Sequence, residues 1–288
     1  MRERTQQFDP RQHMQRQNFE IFHYHEPKPS GSVEVHHHDF YEMYFFLSGK
    51  VEYRVEGKIY RLDPGDLLLI NPMELHQPIP ETDIPYERFV LWINKGYLEN
   101  FSNGEISLTR CFDTSLPTHT NLLRPTAGQK ADLKGRLEEL VRESYGSEYG
   151  GNLCATGIFI QFMVELNRMA LRSVGEGEQQ EETSPLVSQV LSYIGEHYNE
   201  ELSLEGLAQR FYVSKYHLSH EFSRIVGTSV YRYIMMKRLL IAKQMLMGGV
   251  SPGVVYSNCG FGDYANFYRA FKAQYGISPR DYASGELR

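Results

Sequence analysis

Hydrophobic and polar positions divide the chain into segments with different periodicities. Between residues 19 and 95, short apolar runs alternate with clusters of Gly, Pro, Asn and Asp, which predicts an all-β segment. The runs that predict strands are Glu42–Leu47, Val51–Val55, Lys58–Leu62, Leu67–Ile70 and Phe89–Ile93. Turns recur about every 8–10 residues, as in a small barrel or sandwich.

Residues 128–172 repeat their apolar positions at helical spacing, which predicts two helices separated by Gly150-Gly151. The stripes consist of Leu133, Leu137, Leu140, Val141 and Tyr145 in the first helix, and of Ile158, Phe162, Met163, Leu166 and Met169 in the second. An apolar stripe must be covered by something. The two helices therefore either cover the β segment or pair with another subunit, and the pattern is compatible with both.

Polar stretches separate these segments. Residues 1–18 form a polar arm without the apolar core of a secretory signal, and residues 173–185 predict a linker because they contain almost nothing to bury. From residue 186 the pattern is helical to the end. The chain is thus predicted to be a multidomain α+β protein with a β domain at 19–123, a helical dimerisation or cover segment at 124–172, and an all-α domain at 186–288.

The last hundred residues contain an internal repeat. Six positions reappear 49 residues later: Ser214, Leu218, Phe222, Gly227, Ser229 and Tyr233 match Asp263, Phe267, Phe271, Gly276, Ser278 and Tyr282. Each copy has an N-capping residue, an apolar stripe and a closing glycine, which together describe a short capped helix. In the first copy the pattern predicts helix 204–211, a turn at Tyr212-Val213 and helix 215–223, a helix-turn-helix. A long helix, Val230–Met247, joins the two copies.

The residues of this repeat resemble the DNA-binding domain of AraC-type (arabinose-regulator-like) transcription factors. The resemblance covers about 100 residues and includes Gly260-Phe261, Phe271-Lys272 and Gly276–Pro279. It implies a sequence-specific transcriptional regulator that reads double-stranded DNA with two helix-turn-helix units. The positions that it places in the major groove are Lys215, Tyr216, Ser219 and His220 in the first unit, and Tyr264, Ala265, Tyr268 and Arg269 in the second.

Side-chain chemistry suggests which residues contact base edges and which contact phosphate. The planar fork of Arg269 matches the edge of guanine, so Arg269 is the predicted base reader. Lys215, Arg224 and Lys272 are predicted to contact phosphate, a role that His220 could share. One position departs from the family: Val255-Tyr256 stands where Ile-Ala is usual, so we expect a local adjustment in the second unit.

Charge and cysteine content are consistent with an intracellular DNA-binding protein. The net charge is −6, but residues 185–288 carry 11 Lys+Arg against 8 Asp+Glu, whereas residues 1–184 carry 19 against 28. No apolar run approaches the roughly 20 residues of a membrane helix. Three widely spaced cysteines, Cys111, Cys154 and Cys259, form no disulfide framework. The chain is therefore predicted to be cytoplasmic and to bind no membrane.

The β segment resembles a cupin barrel, which in AraC-type regulators serves as the effector sensor. The motif consists of His36-His37-His38, Glu42, Gly49, Pro64–Asp66 and His76. His36, His38 and Glu42 have the same parity, so an unbroken strand would place them on one face, with Met43 and Phe45 on the other and His37 outward. Together with Tyr44, Tyr53 and His76 they predict a pocket for a small polar, sugar-like effector.

Two other functions remain open at this stage. Enzymatic cupins hold a divalent metal with the same residue types, so His36, His38, Glu42 and His76 are candidate ligands of a metal-dependent enzyme or metal sensor. By resemblance to regulators we expect no metal, no cofactor and no enzymatic activity. Alternatively, the β domain only dimerises a constitutive DNA-binding protein. The regulator is expected to bind repeated half-sites as a homodimer and to contact RNA polymerase, with its two units about 34 Å apart in successive grooves.

Overall fold

The computed structural model describes residues 13–31, 33–172 and 181–285. Most of the predicted N-terminal arm and residues 173–180 of the predicted linker lie outside these ranges. The chain divides into two compact units, one formed by residues 1–55 and 59–181 and the other by residues 56–58 and 182–288.

The first unit is rich in β-strands, as the sequence predicts. Its strands are β1 (Phe19–Glu26), β2 (Tyr41–Ser48), β3 (Val51–Val55), β4 (Lys58–Arg61), β5 (Leu67–Ile70), β6 (His76–Pro80), β7 (Tyr86–Ile93) and β8 (Leu122–Leu123). They form one antiparallel sheet of order β1-β7-β2-β5-β8 and a second sheet in which β6, β3 and β4 are neighbours. The five predicted strands are all present, with ends that differ by at most three residues.

Alternation along β2 places its side chains in two cores. Met43 and Phe45 are buried on the side of the first sheet that the helices cover, whereas Tyr44 and Phe46 are buried on the other side with Tyr53. Successive side chains of a strand point to opposite faces, so a strand between two cores places alternate residues in each core. The predicted orientation of Met43 and Phe45, opposite to Glu42, is therefore confirmed.

Two long helices cover the outer face of the first sheet. After the short helix α1 (Lys95–Glu99) come α2 (Ala127–Tyr145) and α3 (Gly151–Arg172). Thr126 and Gln129 form a reciprocal capping box at the start of α2. Leu133 and Leu137 of α2 and Phe159 of α3 are buried in the same core as β1, and the Phe159 ring stacks on that of Phe19 at 4.5 Å. Of the two alternatives for these helices, covering the sheet is confirmed.

The second unit is helical apart from a short strand before it. Strand β9 (Glu181–Thr183) is followed by α4 (Pro185–His197), α5 (Leu204–Arg210), α6 (Lys215–Val226), α7 (Val230–Met247), α8 (Pro252–Asn258), α9 (Tyr264–Tyr275) and α10 (Pro279–Ala283). The predicted linker therefore ends earlier than residue 185. Ser184 is buried and caps α4, and Pro185 occupies the first helical position, where its missing N–H is harmless.

The two helix-turn-helix units share the same hydrogen-bonded turn. In the first unit the N–H of Val213 donates to the carbonyl of Ala208, and in the second the N–H of Phe261 donates to the carbonyl of Tyr256, each at 3.0 Å. The residue before each donor is left-handed: Tyr212 has φ 55° and Gly260 has φ 74°. The repeat seen in the sequence is thus a repeat of backbone geometry.

Tyr256 is accommodated at the edge of its core. Val255 is fully buried, whereas Tyr256 is only half-buried and its ring meets that of Tyr264 edge-on at 5.9 Å. The adjustment expected for this position is therefore made by the side chain, while the turn keeps its hydrogen bond.

None of the helices within the described ranges has the length and apolar character needed to cross a membrane.

Candidate functional site

The two predicted reading helices present one face to a core and the other to solvent. Ser214 accepts a hydrogen bond from the N–H of His217 at 3.2 Å at the start of α6, and Asp263 accepts one from the N–H of Asn266 at 2.7 Å at the start of α9. Leu218, Phe222, Phe267 and Phe271 are fully buried. Both helices end at a left-handed glycine, Gly227 or Gly276.

The exposed face of α6 carries most of the residues predicted for the first unit. Lys215, Tyr216 and His220 are exposed, whereas Ser219 is half-buried. The Nζ atom of Lys215 lies 3.7 Å from a carboxylate oxygen of Glu205, which partly offsets its charge. This face could present an aromatic ring, an imidazole and an ammonium group to a DNA groove.

Arg224 is paired with carboxylates. Its Nη2 atom lies 2.9 Å from Glu221, and Nη1 is hydrogen-bonded to Glu182. The hydrogen bonds that Arg224 donates, first to Glu221 and then to Glu182, raise the pKa of the guanidinium. Because the fork is occupied, the predicted phosphate contact would require these ion pairs to open.

The exposed face of α9 centres on Arg269. Tyr264, Ala265, Arg269 and Lys272 are exposed, whereas Tyr268 is half-buried. The Nη2 atom of Arg269 donates to Oδ1 of Asn266 at 2.5 Å, and Asn266 is itself hydrogen-bonded to the capping residue Asp263. The guanidinium is thus held beside an exposed amide, which would orient it before it meets DNA.

Asn266 is a candidate reader that the sequence analysis missed. It is exposed and lies three residues before Arg269, so the two side chains are neighbours on the helix surface. An asparagine amide can pair with the edge of adenine. The i, i+3 relation to Arg269 was available in the sequence and could have identified it.

In the β domain, the predicted polar residues come together around Glu42. His36 and His38 precede β2, Glu42 is its second residue, and His76 begins β6. Residues 36–42 do not form the unbroken strand that the parity argument requires, because β2 begins at Tyr41 and His36 makes only an isolated bridge to His76. Nδ1 of His38 is hydrogen-bonded to the carbonyl of Phe40, a local bond that competes with strand pairing.

His37 is also placed differently from the prediction. Its side chain is buried, with 4% exposure, rather than directed outward. Because the chain bends before β2, strict alternation does not apply at this position. The parity argument therefore succeeded within β2 and failed before it.

Glu42 is the centre of a buried hydrogen-bond network. Its Oε2 accepts from His38 Nε2 at 3.1 Å and from Trp92 Nε1 at 3.0 Å, while Oε1 accepts from the Tyr53 hydroxyl at 3.2 Å. Burial alone would raise the pKa of this carboxyl group, but the hydrogen bond and charge of His38 outweigh burial and lower the pKa to about 2. Glu42 is therefore a buried carboxylate.

The environment of His36 and His76 lowers the pKa of both imidazoles. Burial, followed by the charge of His38, lowers the pKa of His36 to about 4. Burial also lowers the pKa of His76 well below its usual value. Nε2 of His76 is buried and has no hydrogen-bond partner within the described part of the chain.

Tyr44 and Tyr53 complete the predicted set. Their rings meet edge-on at 5.0 Å, and the hydroxyl of Tyr44 is hydrogen-bonded to that of Tyr86. Burial raises the pKa of both tyrosines well above the usual value. All six predicted ligand-binding residues are thus buried in one region, where their side chains pack against each other.

A separate surface cavity of about 360 Å³ lies in the same unit. Its lining is mainly polar and includes Asn71, Asn103, Thr109, Arg110 and Asp113. Nδ2 of Asn71 also donates to the carbonyl of Phe112 at 2.8 Å, which ties β5 to this loop region. The residues predicted to bind the effector are not part of this lining.

Both units match known domain families. The model of the AraC-like ligand binding domain matches residues 18–149, and that of a helix-turn-helix domain matches residues 207–285. The chain is 26% identical over 262 residues to the HTH-type transcriptional activator RhaS of Escherichia fergusonii, an alignment that covers 90% of this chain and 91% of the relative. The RhaS protein of Salmonella typhimurium is 25% identical over the same length.

Solved structures with similarity to the chain include regulators and their DNA-binding domains. Fatty-acid-bound ToxT from Vibrio cholerae is 12% identical, with 94% of this chain and 97% of that chain covered and a TM-score of 0.39. The C-terminal domain of AraT, a response regulator from Geobacillus stearothermophilus, is 27% identical, with 35% and 86% covered and a TM-score of 0.35. From the two domain matches and the full-length relatives, the chain belongs to the AraC-type family of DNA-binding transcriptional regulators with an N-terminal ligand-binding domain.

Proposed function

We propose that this regulator reads a repeated DNA site as a homodimer and responds to a small polar, sugar-like effector bound in its β domain. The main support for the DNA site is the pair of capped helices α6 and α9, each with a buried apolar face and an exposed polar one. Such helices fit the major groove. Acting on DNA in this way, the protein would work in the cytoplasm without catalysing a reaction.

The direct test is selection of bound sequences from a random DNA library with the full-length chain at about 150 mM salt, where non-specific phosphate binding is suppressed. We expect a motif with two repeated half-sites. Recovery of single half-sites would contradict the homodimer, and sedimentation of the protein–DNA complex would measure its stoichiometry directly. Recovery of no motif, with and without candidate effectors, would contradict sequence-specific DNA binding.

Arg269→Ala should weaken binding to the best site by about 1–3 kcal/mol and relax the preference at one base pair. The reason is that a guanidinium held beside Asn266 can make a bidentate contact with guanine. Binding to a panel of single-base variants of the selected site measures the effect.

Lys272→Ala is the matched control, since Lys272 is exposed on the same helix and is predicted to contact phosphate. It should weaken all sequences about equally and reduce the salt dependence of binding. If Arg269→Ala also weakens every sequence equally, Arg269 is a phosphate contact and the assignment is wrong.

The effector assignment depends on the polar and aromatic groups around Glu42. Carboxylate, imidazole and phenol groups can hydrogen-bond the hydroxyls of a sugar while the rings pack on its apolar face. Because these side chains pack closely, an effector must favour a conformation in which they separate, and only differential affinity for two conformations can produce regulation.

A screen of sugars and related polar molecules tests this assignment, with melting temperature and DNA affinity as readouts. A true effector should shift both, and Tyr53→Phe, which removes the hydroxyl bonded to Glu42, should weaken its binding by roughly tenfold. If no molecule shifts either readout, the protein is better described as a constitutive DNA-binding protein whose β domain only dimerises.

The homodimer is proposed from helix α3. Leu153 and Leu171 are 79% and 52% exposed on this helix, although its other face covers the sheet. A regulator that acts at promoters is further expected to contact RNA polymerase. Sedimentation of the free protein, compared with that of Leu153→Glu, measures the dimer: the variant should be monomeric, and an unchanged mass would place the interface elsewhere.

A further inference from the structure

Arg88 on β7 places a guanidinium group inside the β domain. It has the same strand parity as Tyr86 and Trp92, which are buried in the core that also contains Tyr44, whereas Phe89 packs on the side of the helices. Only 16% of the Arg88 side chain is exposed. Burial of a charge is costly unless the charge is paired, so the partners of Arg88 decide what it can do.

One nitrogen of the Arg88 guanidinium is paired and another is not. Nη2 lies 2.6 Å from Oε1 of Glu26, and the guanidinium carbon lies 4.6 Å and 4.2 Å from the ring centroids of Tyr24 and Tyr86. The ion pair and the two rings fix the orientation of the planar group. Nη1, by contrast, is buried and has no hydrogen-bond partner in the described ranges. A buried donor without an acceptor is costly, so this atom indicates a partner that the folded chain does not supply.

The hydroxyl groups near Arg88 are also donors. The hydroxyls of Tyr44 and Tyr86 are hydrogen-bonded to each other, which uses only one of their two protons. Burial raises the pKa of Tyr86 to about 12 and that of Tyr44 well above its usual value, although the positive charge of Arg88 opposes this effect in both. Both phenols therefore stay protonated at neutral pH. The unused hydrogen-bonding capacity of this region consists of donors beside a positive charge, which complements an anionic acceptor.

We propose that Arg88 and the hydroxyl pair of Tyr44 and Tyr86 bind a carboxylate of the effector, so that the effector is a sugar acid rather than a neutral sugar. This inference rests on the proposed effector site around Glu42 and adds the charge of the effector to it. Trp92, whose indole donates to Glu42, lies four residues after Arg88, roughly 13 Å along the strand. The hydroxyls of the sugar acid would lie towards Glu42 and its carboxylate towards Arg88.

The nearby charges favour a carboxylate over a phosphate. Glu26 already pairs with Arg88, and Glu42 is ionised because its pKa is about 2. A doubly charged phosphate would be repelled by both carboxylates with only one guanidinium to offset the repulsion. A singly charged carboxylate can share the planar guanidinium with Glu26, since the two nitrogens Nη1 and Nη2 point to different partners.

Calorimetric titration of the full-length chain with matched sugars tests the proposal. The probes are glucose with glucuronate and galactose with galacturonate, since each acid differs from its neutral sugar only by a carboxylate in place of the terminal hydroxymethyl group. Glucose 6-phosphate is the phosphate probe. We expect one of the two acids to bind at least about tenfold more tightly than its neutral sugar and to raise the melting temperature more.

Two variants of the ion pair should act in opposite directions. Arg88→Gln should weaken binding of the preferred acid by about 10–100-fold and change binding of the neutral sugar by less than about threefold. Glu26→Gln should tighten binding of the acid several-fold, because it removes a competing carboxylate and leaves Nη2 available. If the ion pair is only structural, both variants should lower the melting temperature and neither should change the preference for the acid.

Arg54→Gln is the matched control. Arg54 is 20% exposed and is paired with Glu52 in the same unit, so its burial and pairing resemble those of Arg88, but its strand parity is opposite to that of the buried Tyr53. The variant should leave the preference for the acid unchanged. Far-UV circular dichroism of each variant without sugar confirms that it is folded, and Glu26→Gln decides the question if Arg88→Gln does not fold.

The outcomes separate this proposal from the proposed function. Equal binding of an acid and its neutral sugar would overturn the carboxylate assignment and leave the sugar-like effector intact, as would tighter binding of glucose 6-phosphate than of glucuronate. An acid preference that both Arg88→Gln and Glu26→Gln leave unchanged would assign the carboxylate to other residues. No response to any of the five probes would contradict the sugar-like effector itself, and this inference with it.

Discussion

Phe222→Ala is expected to destabilise the helical unit by about 3–5 kcal/mol, a cost typical of removing a buried aromatic ring. Phe222 is fully buried in α6, and its ring meets that of Tyr233 edge-on at 5.6 Å. Truncation leaves a cavity where α6 packs on α7, the helix that joins the two helix-turn-helix units. Loss of this contact should also abolish DNA binding, because α6 is no longer held in place.

Urea unfolding followed by far-UV circular dichroism measures this change. The single tryptophan, Trp92, lies in the other unit, so its fluorescence provides an internal comparison. Tyr231→Ala is the matched control, since Tyr231 is 73% exposed in the same domain and should change stability by less than about 0.5 kcal/mol. Equal stability of Phe222→Ala and the wild type would contradict the assigned core.

Gly260→Ala is expected to destabilise the second helix-turn-helix by at least about 2 kcal/mol, from two causes. Gly260 has φ 74°, a conformation that costs a residue with a Cβ about 1–2 kcal/mol. An added Cβ would also lie 2.8 Å from the carbonyl oxygen of Asn199, and this neighbour is backbone that cannot rotate away. Since Gly260 lies in the turn between α8 and α9, DNA binding by the second unit should fall as well.

Gly253→Ala provides the matched control for this prediction. Gly253 lies in α8, and a Cβ there would meet no atom within 4 Å. Alanine should be neutral or stabilise the helix by up to about 1 kcal/mol. The melting temperatures of the two variants and their binding to the selected DNA site measure the difference, and a Gly260→Ala protein as stable as Gly253→Ala would contradict the backbone argument.

Local signals account for the success of the helical predictions. A capping serine or aspartate, an apolar stripe and a closing glycine act within one or two turns of chain, so Ser214, Asp263 and Gly276 could be interpreted without knowledge of the fold. Both ends of the helix Val230–Met247 were predicted correctly, because a capping serine precedes the helix and a glycine pair follows it. The binding roles of the exposed residues stay predictions, since the exposure of a side chain does not identify its partner.

The failures occurred where contacts are long-range or where alternation stops. His37 was placed outward by a strand parity that does not hold before Tyr41, and the ion pair between Arg224 and Glu182 was not foreseen. Glu182 lies 42 residues from Arg224, and such a pair depends on tertiary packing, so no local pattern predicts it. Asn266, by contrast, could have been found from its spacing.

The sequence by itself determined the two-domain organisation, the strands of the β domain, the capped helices and the family, because propensity, periodicity and capping are local properties. Only the tertiary structure decided that α2 and α3 cover the sheet, that Tyr256 lies at the edge of its core, and that His38, Glu42 and His76 converge. Convergence of this kind depends on how β2 and β6 are placed by the two sheets. Glu42 and His76 are 34 positions apart, and they meet only because burial of apolar side chains brings β2 and β6 together.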